Sequence, residues 1–334
     1  MPSKGKLKRI ISLWLVLILA LAFVACGGIR RRNVWSSKRN GENIKVAIIN
    51  LDPSESGYRA ANDKDLRERF ISEKGYDASF AYSMDNEEQK KMAEEFIDAG
   101  IHYLLLSAAD TEGWDDVLNR AKEKDVKVIL FDRTIDSDDS LYEASVVSDM
   151  LAEGQMAVEW LAEQQLTKYK ILHIQGARGS AAQRGRTKAL DNLVESNFDW
   201  KYAVQKPGNW DEGKAKEIVE EAIKSGITFN VIYSENDNMT RGAVEALDEA
   251  GITHGPGKDV IIISFDCNIW AMEEVLRQNW NYNGQCNPYH ASYLDEIIKT
   301  LESGGRLAEK TIILREKGFD SENITKEDIE NYGI

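Results

Sequence analysis

Six places in the chain pair the end of an apolar run with a polar or charged side chain. The segment VKVILFDRTID (126–136) is the sharpest: Val128, Ile129, Leu130 and Phe131 give way at once to Asp132 and Arg133. A carboxylate beside a guanidinium offers acceptors next to a planar fork of donors, which suits a neutral, hydroxyl-rich ligand. For this pair alone, a local ion pair ending a strand is an equal reading. The placement recurs, however. Glu55, Tyr58 and Arg59 follow the run that starts at Ile44. Arg186 follows Lys170–Gln175, Asn236 and Asp237 follow Phe229–Tyr233, Asp266 follows Val260–Phe265, and Gln285 follows Asn281–Gly284. Any one of these could be a helix cap; six, in both halves of the chain, favour a shared polar cleft. Tyr58 and Trp210 add flat apolar faces for the C–H side of a ring-shaped ligand. A hydrophobic staple at a helix start is the other role open to Trp210.

Reaction chemistry leaves no comparable trace. The chain has no G-x-x-x-x-G-K-[ST], no G-x-G-x-x-G after its first strand, no G-x-S-x-G and no H-E-x-x-H. The glycines of GARGSAAQRGR (176–186) lack the lysine of a phosphate loop. His102, His173, His254 and His290 are scattered, and no acidic cluster has EF-hand spacing. Neither catalysis, a cofactor nor a metal is expected.

In open α/β sheets, ligands sit beyond the carboxyl ends of the strands, so the elements that place these residues come next. Short, β-rich apolar runs read as strands buried on both faces of a parallel sheet. The first series reads strand Ile44–Leu51, helix Arg59–Ile71, strand Asp77–Tyr82, helix Glu87–Ala99, strand His102–Leu106, helix Gly113–Lys124 and strand Val126–Phe131. A second series begins after Ser148, with helices Met150–Gln165, Ala182–Glu195, Lys214–Lys224, Met239–Ala250 and Ile269–Gln278. Its strands are Lys170–Gln175, Phe229–Tyr233, Val260–Phe265 and Asn281–Gln285. Ala215, Ile218, Val219, Ala222 and Ile223 mark one buried helix face. A helix over Tyr293–Ser303 and a final strand at Thr311–Leu314 follow, and the acidic tail after Glu316 reads as surface structure. Such alternation predicts an α/β fold of two lobes with parallel-sheet cores. About 290 residues is a comfortable length for two cores.

Lys4, Lys6, Lys8 and Arg9 precede an apolar stretch, Ile10–Ala25. That is signal-peptide architecture, too short for an ordinary membrane span. The stretch ends Phe23-Val24-Ala25-Cys26, similar to a bacterial lipobox with phenylalanine where leucine is usual. Acylation of Cys26 would leave the protein hanging from the outer membrane face by its lipid alone. Residues 26–43 would be a polar tether whose Arg30–Arg32 meet anionic headgroups. A signal anchor with an incidental cysteine is the alternative. The net charge is −14, and removing the leader takes it to −18; acid spread along the chain argues against nucleic-acid binding. Cys267 and Cys286 remain, and in an extracellular setting they could form a disulfide.

Six segments carry a family resemblance: SESGYRAA (54–61), TEGWDDVL (111–118), LFDRTID (130–136), YSENDNM (233–239), SFDCN (264–268) and GQCNPY (284–289). In order and spacing the chain resembles the sugar-binding proteins of bacterial ABC transporters, of the type I periplasmic-binding fold, in a galactofuranose- and ribose-binding-like branch. The resemblance implies two Rossmann-like lobes joined by a three-segment hinge, with crossings near Ser148, Cys286 and Leu314. The lobes would be 44–148 with 286–314, and 149–285 with 315–334. Glu55, Tyr58, Arg59, Asp132 and Arg133 would contact sugar from the first lobe, and Arg186, Trp210, Asn236, Asp266 and Gln285 from the second or the hinge. Tyr58 stands where tryptophan is expected and Gln285 where the branch has glutamate, which leaves the exact sugar open. The implied partners are a monosaccharide and the permease subunits, and a monomer is expected. A sensor presenting sugar to a membrane kinase or chemoreceptor is the alternative role.

Overall fold

The computed structural model describes residues 41–334. The leader (1–25), Cys26 and all but the last three residues of the tether lie outside the described residues.

The first lobe is built on five short strands whose central members are mostly apolar and buried. These are β1 (Ile44–Asn50), β2 (Tyr76–Tyr82), β3 (Tyr103–Leu106), β4 (Lys127–Asp132) and β5 (Ala144–Ser148). Helices α1 (Gly57–Arg69), α2 (Asn86–Asp98) and α3 (Asp115–Glu123) connect them. The second lobe alternates α4 (Met150–Glu163), β6 (Tyr169–Gln175), α5 (Ala181–Ser196), β7 (Trp200–Pro207), α6 (Glu212–Lys224) and β8 (Val231–Ser234). It continues with α7 (Asp237–Glu249), β9 (Ile261–Asp266), α8 (Ile269–Leu276) and β10 (Tyr282–Gln285). The chain closes with α9 (Ala291–Glu302), β11 (Thr311–Leu314), β12 (Gly318–Asp320) and α10 (Lys326–Tyr332).

One sheet has the order β11-β5-β4-β3-β1-β2 and is parallel throughout; the other runs β12-β10-β9-β8-β6-β7, with only β12 antiparallel. Strand side chains point alternately to the two faces. In the first lobe, Val46, Ile48 and Leu105 pack with Leu294 and Ile298 of α9. Their neighbours Ala47, Ile49 and Leu104 pack on the opposite face with Val117 and Leu118 of α3. Both faces are therefore covered, which is why the central strands β3 and β4 carry no polar alternation. The order places β11 beside β5 and β12 beside β10, so the chain passes between the sheets after β5, after β10 and after β11. This is the expected fold class: two parallel-sheet α/β lobes joined by three segments.

Four elements are additional to those read from the sequence. Strand β5 is short and contains two serines, Ser145 and Ser148, yet all five residues are buried. Strand β7 lies at a sheet edge, is mostly part-exposed and contains a register shift opposite Ile171/Leu172, so it has neither an apolar run nor clean alternation. Strand β12 and helix α10 occupy the tail assigned to surface structure; Phe319 and Ile329 bury there against the second core. Thr311–Leu314 is a strand but not the last one. Cys267 and Cys286 are both buried and both free, so the disulfide that sequence left open is absent.

Candidate functional site

Both lobes end a central strand in an aspartate with left-handed backbone. Asp132 closes β4 at φ 64°, and Asp266 closes β9 at φ 106°, followed by Cys267 at φ 61°. Side chains other than glycine rarely adopt this region, and it persists where surrounding structure enforces it, often at ligand sites.

Around Asp132 the enforcement is a hydrogen-bond shell. Tyr58, in the first turn of α1, donates its hydroxyl to Oδ1 at 2.7 Å. Oδ2 accepts from Arg59 Nη1 at 2.5 Å and from Ser107 Oγ at 2.7 Å, with Arg133 Nε 3.5 Å away. Ser56 caps α1 by accepting from Arg59 N, which fixes the turn that carries Tyr58 and Arg59. Burial works against ionising Asp132, but Arg59 and Arg133 outweigh it and hold the carboxyl well below its ordinary range. Burial, with Arg59 nearby, pushes the Arg133 guanidinium down to about 10 against the pull of Asp132.

The second lobe repeats the logic with the signs exchanged. Here a buried arginine is the centre. Arg186 on α5 donates through Nε to Glu153 Oε2 at 2.8 Å, through Nη2 to Asp266 Oδ1 at 3.3 Å, and through Nη1 to the carbonyl of Glu235. Its guanidinium also lies over the Phe265 ring, 4.7 Å from the centroid. Burial disfavours its charge, yet Glu153 and Asp266 raise its pKa well above the usual value. Asp266 moves the other way from Asp132. Burial pushes it well up, Arg186 opposes, and the neighbouring carboxylates Asp237, Glu153 and Glu55 add to the rise. One cavity acid is thus an obligate acceptor, while the other is biased toward a form that can also donate.

The two lobes close on a cavity of about 20 Å³, room for little more than one water molecule. Nine of the ten residues singled out from sequence line it; Gln285 does not, although it is buried on the last position of β10. Asn236 is both things the sequence allowed: it caps α7 by accepting from Met239 N, and it lines the cavity. Trp210 also lines it, edge-on to Gly176, where a Cβ would come within 1.9 Å of the ring. The cavity presents three carboxyl groups (Glu55, Asp132, Asp266) to three guanidinium groups (Arg59, Arg133, Arg186). It also presents two donors without a hydrogen bond: Trp210 Nε1, and Arg133 Nε, which only ion-pairs with Asp132 at 3.5 Å. Acceptors and donors set among one another, with a free indole N–H, fit a small neutral polyhydroxyl compound better than an ion.

Sequence reasoning missed Ser56, Met150, Ala182 and Cys286 in the lining, and Ser107, Glu153 and Glu235 behind it. A buried acid on an otherwise apolar helix face, as Glu153 is on α4, was the available signal. Of the histidines, His173 bonds Glu235 and His290 sits against Phe131. Among the described residues no helix is long and apolar enough to cross a membrane.

Two parallel-sheet lobes hinged over a buried polar cavity define a periplasmic-type binding protein, a class that captures solutes without transforming them. The chain belongs to the family of the periplasmic binding protein domain, whose pattern matches residues 46–294. It is 27% identical to the galactofuranose-binding protein YtfQ of Escherichia coli (strain K12), over 78% of this chain and 83% of that one. It is 26% identical to the fructose import binding protein FruE of Bifidobacterium longum (strain NCC 2705), over 97% of both chains. Among solved structures, the periplasmic component of the arabinose ABC transporter from Shewanella sp. ANA-3, bound to α- and β-L-arabinofuranose, superposes with a TM-score of 0.78. That likeness is at 26% identity and covers 86% of this chain and 95% of that one.

Proposed function

We propose that the protein captures a monosaccharide, in a furanose form such as galactofuranose, and hands it to an ABC permease. The carrying observation is the lining of the cleft: three carboxyl and three guanidinium groups, the free Trp210 N–H and its indole ring are brought together between the two lobes. The import and ABC-transporter roles of the relatives support transport over sensing. In this reading the lobes are 44–148 with 286–314, and 149–285 with 315–334. Glu55, Tyr58, Arg59, Asp132, Arg133, Arg186, Trp210, Asn236 and Asp266 contact the sugar, and Gln285 acts from the hinge side. Cys26 carries the lipid that holds a monomer at the outer face of the cell membrane, the leader 1–25 having been removed.

Selectivity follows from desolvation. Closing the cleft on a wrong epimer leaves a buried donor or acceptor unpaired, at a cost of about 1–3 kcal/mol for each group. Isothermal titration calorimetry over pentoses and hexoses tests the proposal, with galactose, arabinose and fructose included for their furanose forms. One or a few sugars should bind with a stoichiometry of one, and failure of every monosaccharide would refute the assignment.

A further inference from the structure

The three segments that join the lobes meet at one side chain. Glu316 lies just past β11, in the third crossing. Its Oε1 accepts from Ser148 Oγ, at the end of β5 in the first crossing, at 2.6 Å, and from the backbone N–H of Asn287 in the second at 2.7 Å. Its other neighbour is Glu153 on α4: a carboxyl oxygen of each lies within 4.8 Å of the other's. Glu153 is fully buried; its Oε2 holds Arg186, and its Oε1 is buried with no hydrogen-bond partner. Two carboxyls this close, and away from water, favour a proton on one of them, which can then be donated to the unpaired Glu153 Oε1. Arg186 already neutralises Glu153, so the proton belongs on Glu316.

We infer that Glu316 is a positioning residue for ligand capture: as a neutral acid it ties the three crossings together and holds Glu153, and through it Arg186, in the cleft. This rests on the cleft being the ligand site. The groups facing Glu316 are Glu153 from α4, Cys286 after β10, and Arg186 and Asp266 behind Glu153; its chain neighbours Arg315 and Lys317 are exposed. Burial, with Glu153 beside it, pushes Glu316 up to about 10. A folded-state value above the ordinary one of 4.5 gives a stabilisation complete below about pH 4.5 and lost as pH rises through about 10.

Glutamine reproduces a protonated glutamate: its carbonyl accepts from Ser148 and Asn287, and its amide donates to Glu153. The experiment compares full-length wild type, Glu316→Gln and Glu316→Leu. Without ligand, thermal midpoints are measured from pH 5 to 9. The midpoint of Glu316→Gln should gain on wild type steadily as pH rises, and a difference constant across that range would overturn the proton. With the sugar that wild type binds, Glu316→Leu should lose at least tenfold in affinity at pH 7, and Glu316→Gln should restore it to within threefold. Wild-type affinity in the leucine variant, or no rescue by glutamine, overturns the positioning role. Zinc-dependent tightening of wild type, reversed by chelator, would also overturn it, because the ligand atoms of Glu153, Cys286 and Glu316 all lie within 4.8 Å of one another. Wild type that binds no sugar refutes the ligand assignment instead, and leaves the midpoint comparison to decide the proton.

Discussion

Trp210 Nε1 is a buried donor with nothing to bond, and that makes it the cleanest single probe of the cleft. Its removal takes no partner away from the unliganded protein. Trp210→Phe should therefore leave the thermal midpoint near wild type and weaken sugar binding about tenfold, the worth of one hydrogen bond; calorimetry on the two proteins checks it. Arg186 is the opposite case. Replacing it with alanine strands Glu153 and Asp266 in the interior, which costs about 3–5 kcal/mol. Denaturant unfolding should show Arg186→Ala severely destabilised before any question of affinity arises. Asp132 and Arg133 were legible in the sequence because an apolar run cannot end in two charges without a reason. Ser107 and Glu235 were not, since an ordinary serine or glutamate acquires a role only from what folds against it.

Elements position these side chains through close approaches that local periodicity does not reveal. The end of β6 is an example: Gly176 permits the Trp210 ring to lie where any Cβ would collide, at 1.9 Å. Gly176→Ala should displace the indole, seen as a shift in tryptophan emission together with weakened binding. The loop after β3 meets the start of α5 in a similar way. Thr111 N donates to Gly179 O at 3.3 Å, and Arg184 Nη1 bonds Thr111 Oγ1 at 2.5 Å and Asp136 Oδ2 at 2.6 Å. These contacts join the two lobes outside the cavity, and the ion pair is about half exposed. An exposed pair is worth up to about 1 kcal/mol and is screened by salt. Arg184→Ala should then raise the sugar dissociation rate no more than about fivefold in stopped-flow measurements, with the difference shrinking at high salt. The helices and central strands were readable because their patterns are local. Strands β5 and β7 were not, since serine-containing and edge strands take their identity from the neighbour they pair with.

At the scale of the molecule, contacts between the lobes and a nearly filled cavity describe a closed arrangement, and capture requires an open one. Ligand should shift that equilibrium by hinge motion about the three crossings. Small-angle scattering should show a smaller radius of gyration with sugar than without; equal radii would argue for a rigid molecule. The sequence by itself determined the alternation of strand and helix, the class of fold, and the set of polar residues at the strand ends. These follow from side-chain periodicity and from the abrupt change of polarity where a buried strand meets a cleft. Only the tertiary structure decided that β11 and β12 belong to different sheets. It alone decided that Gln285 stays out of the cavity lining, that the two cysteines remain apart, and that Glu316 collects all three crossings. Each of those depends on which groups, far apart in the chain, satisfy one another's hydrogen bonds away from water. That is a property of their arrangement in space, and no local pattern encodes it.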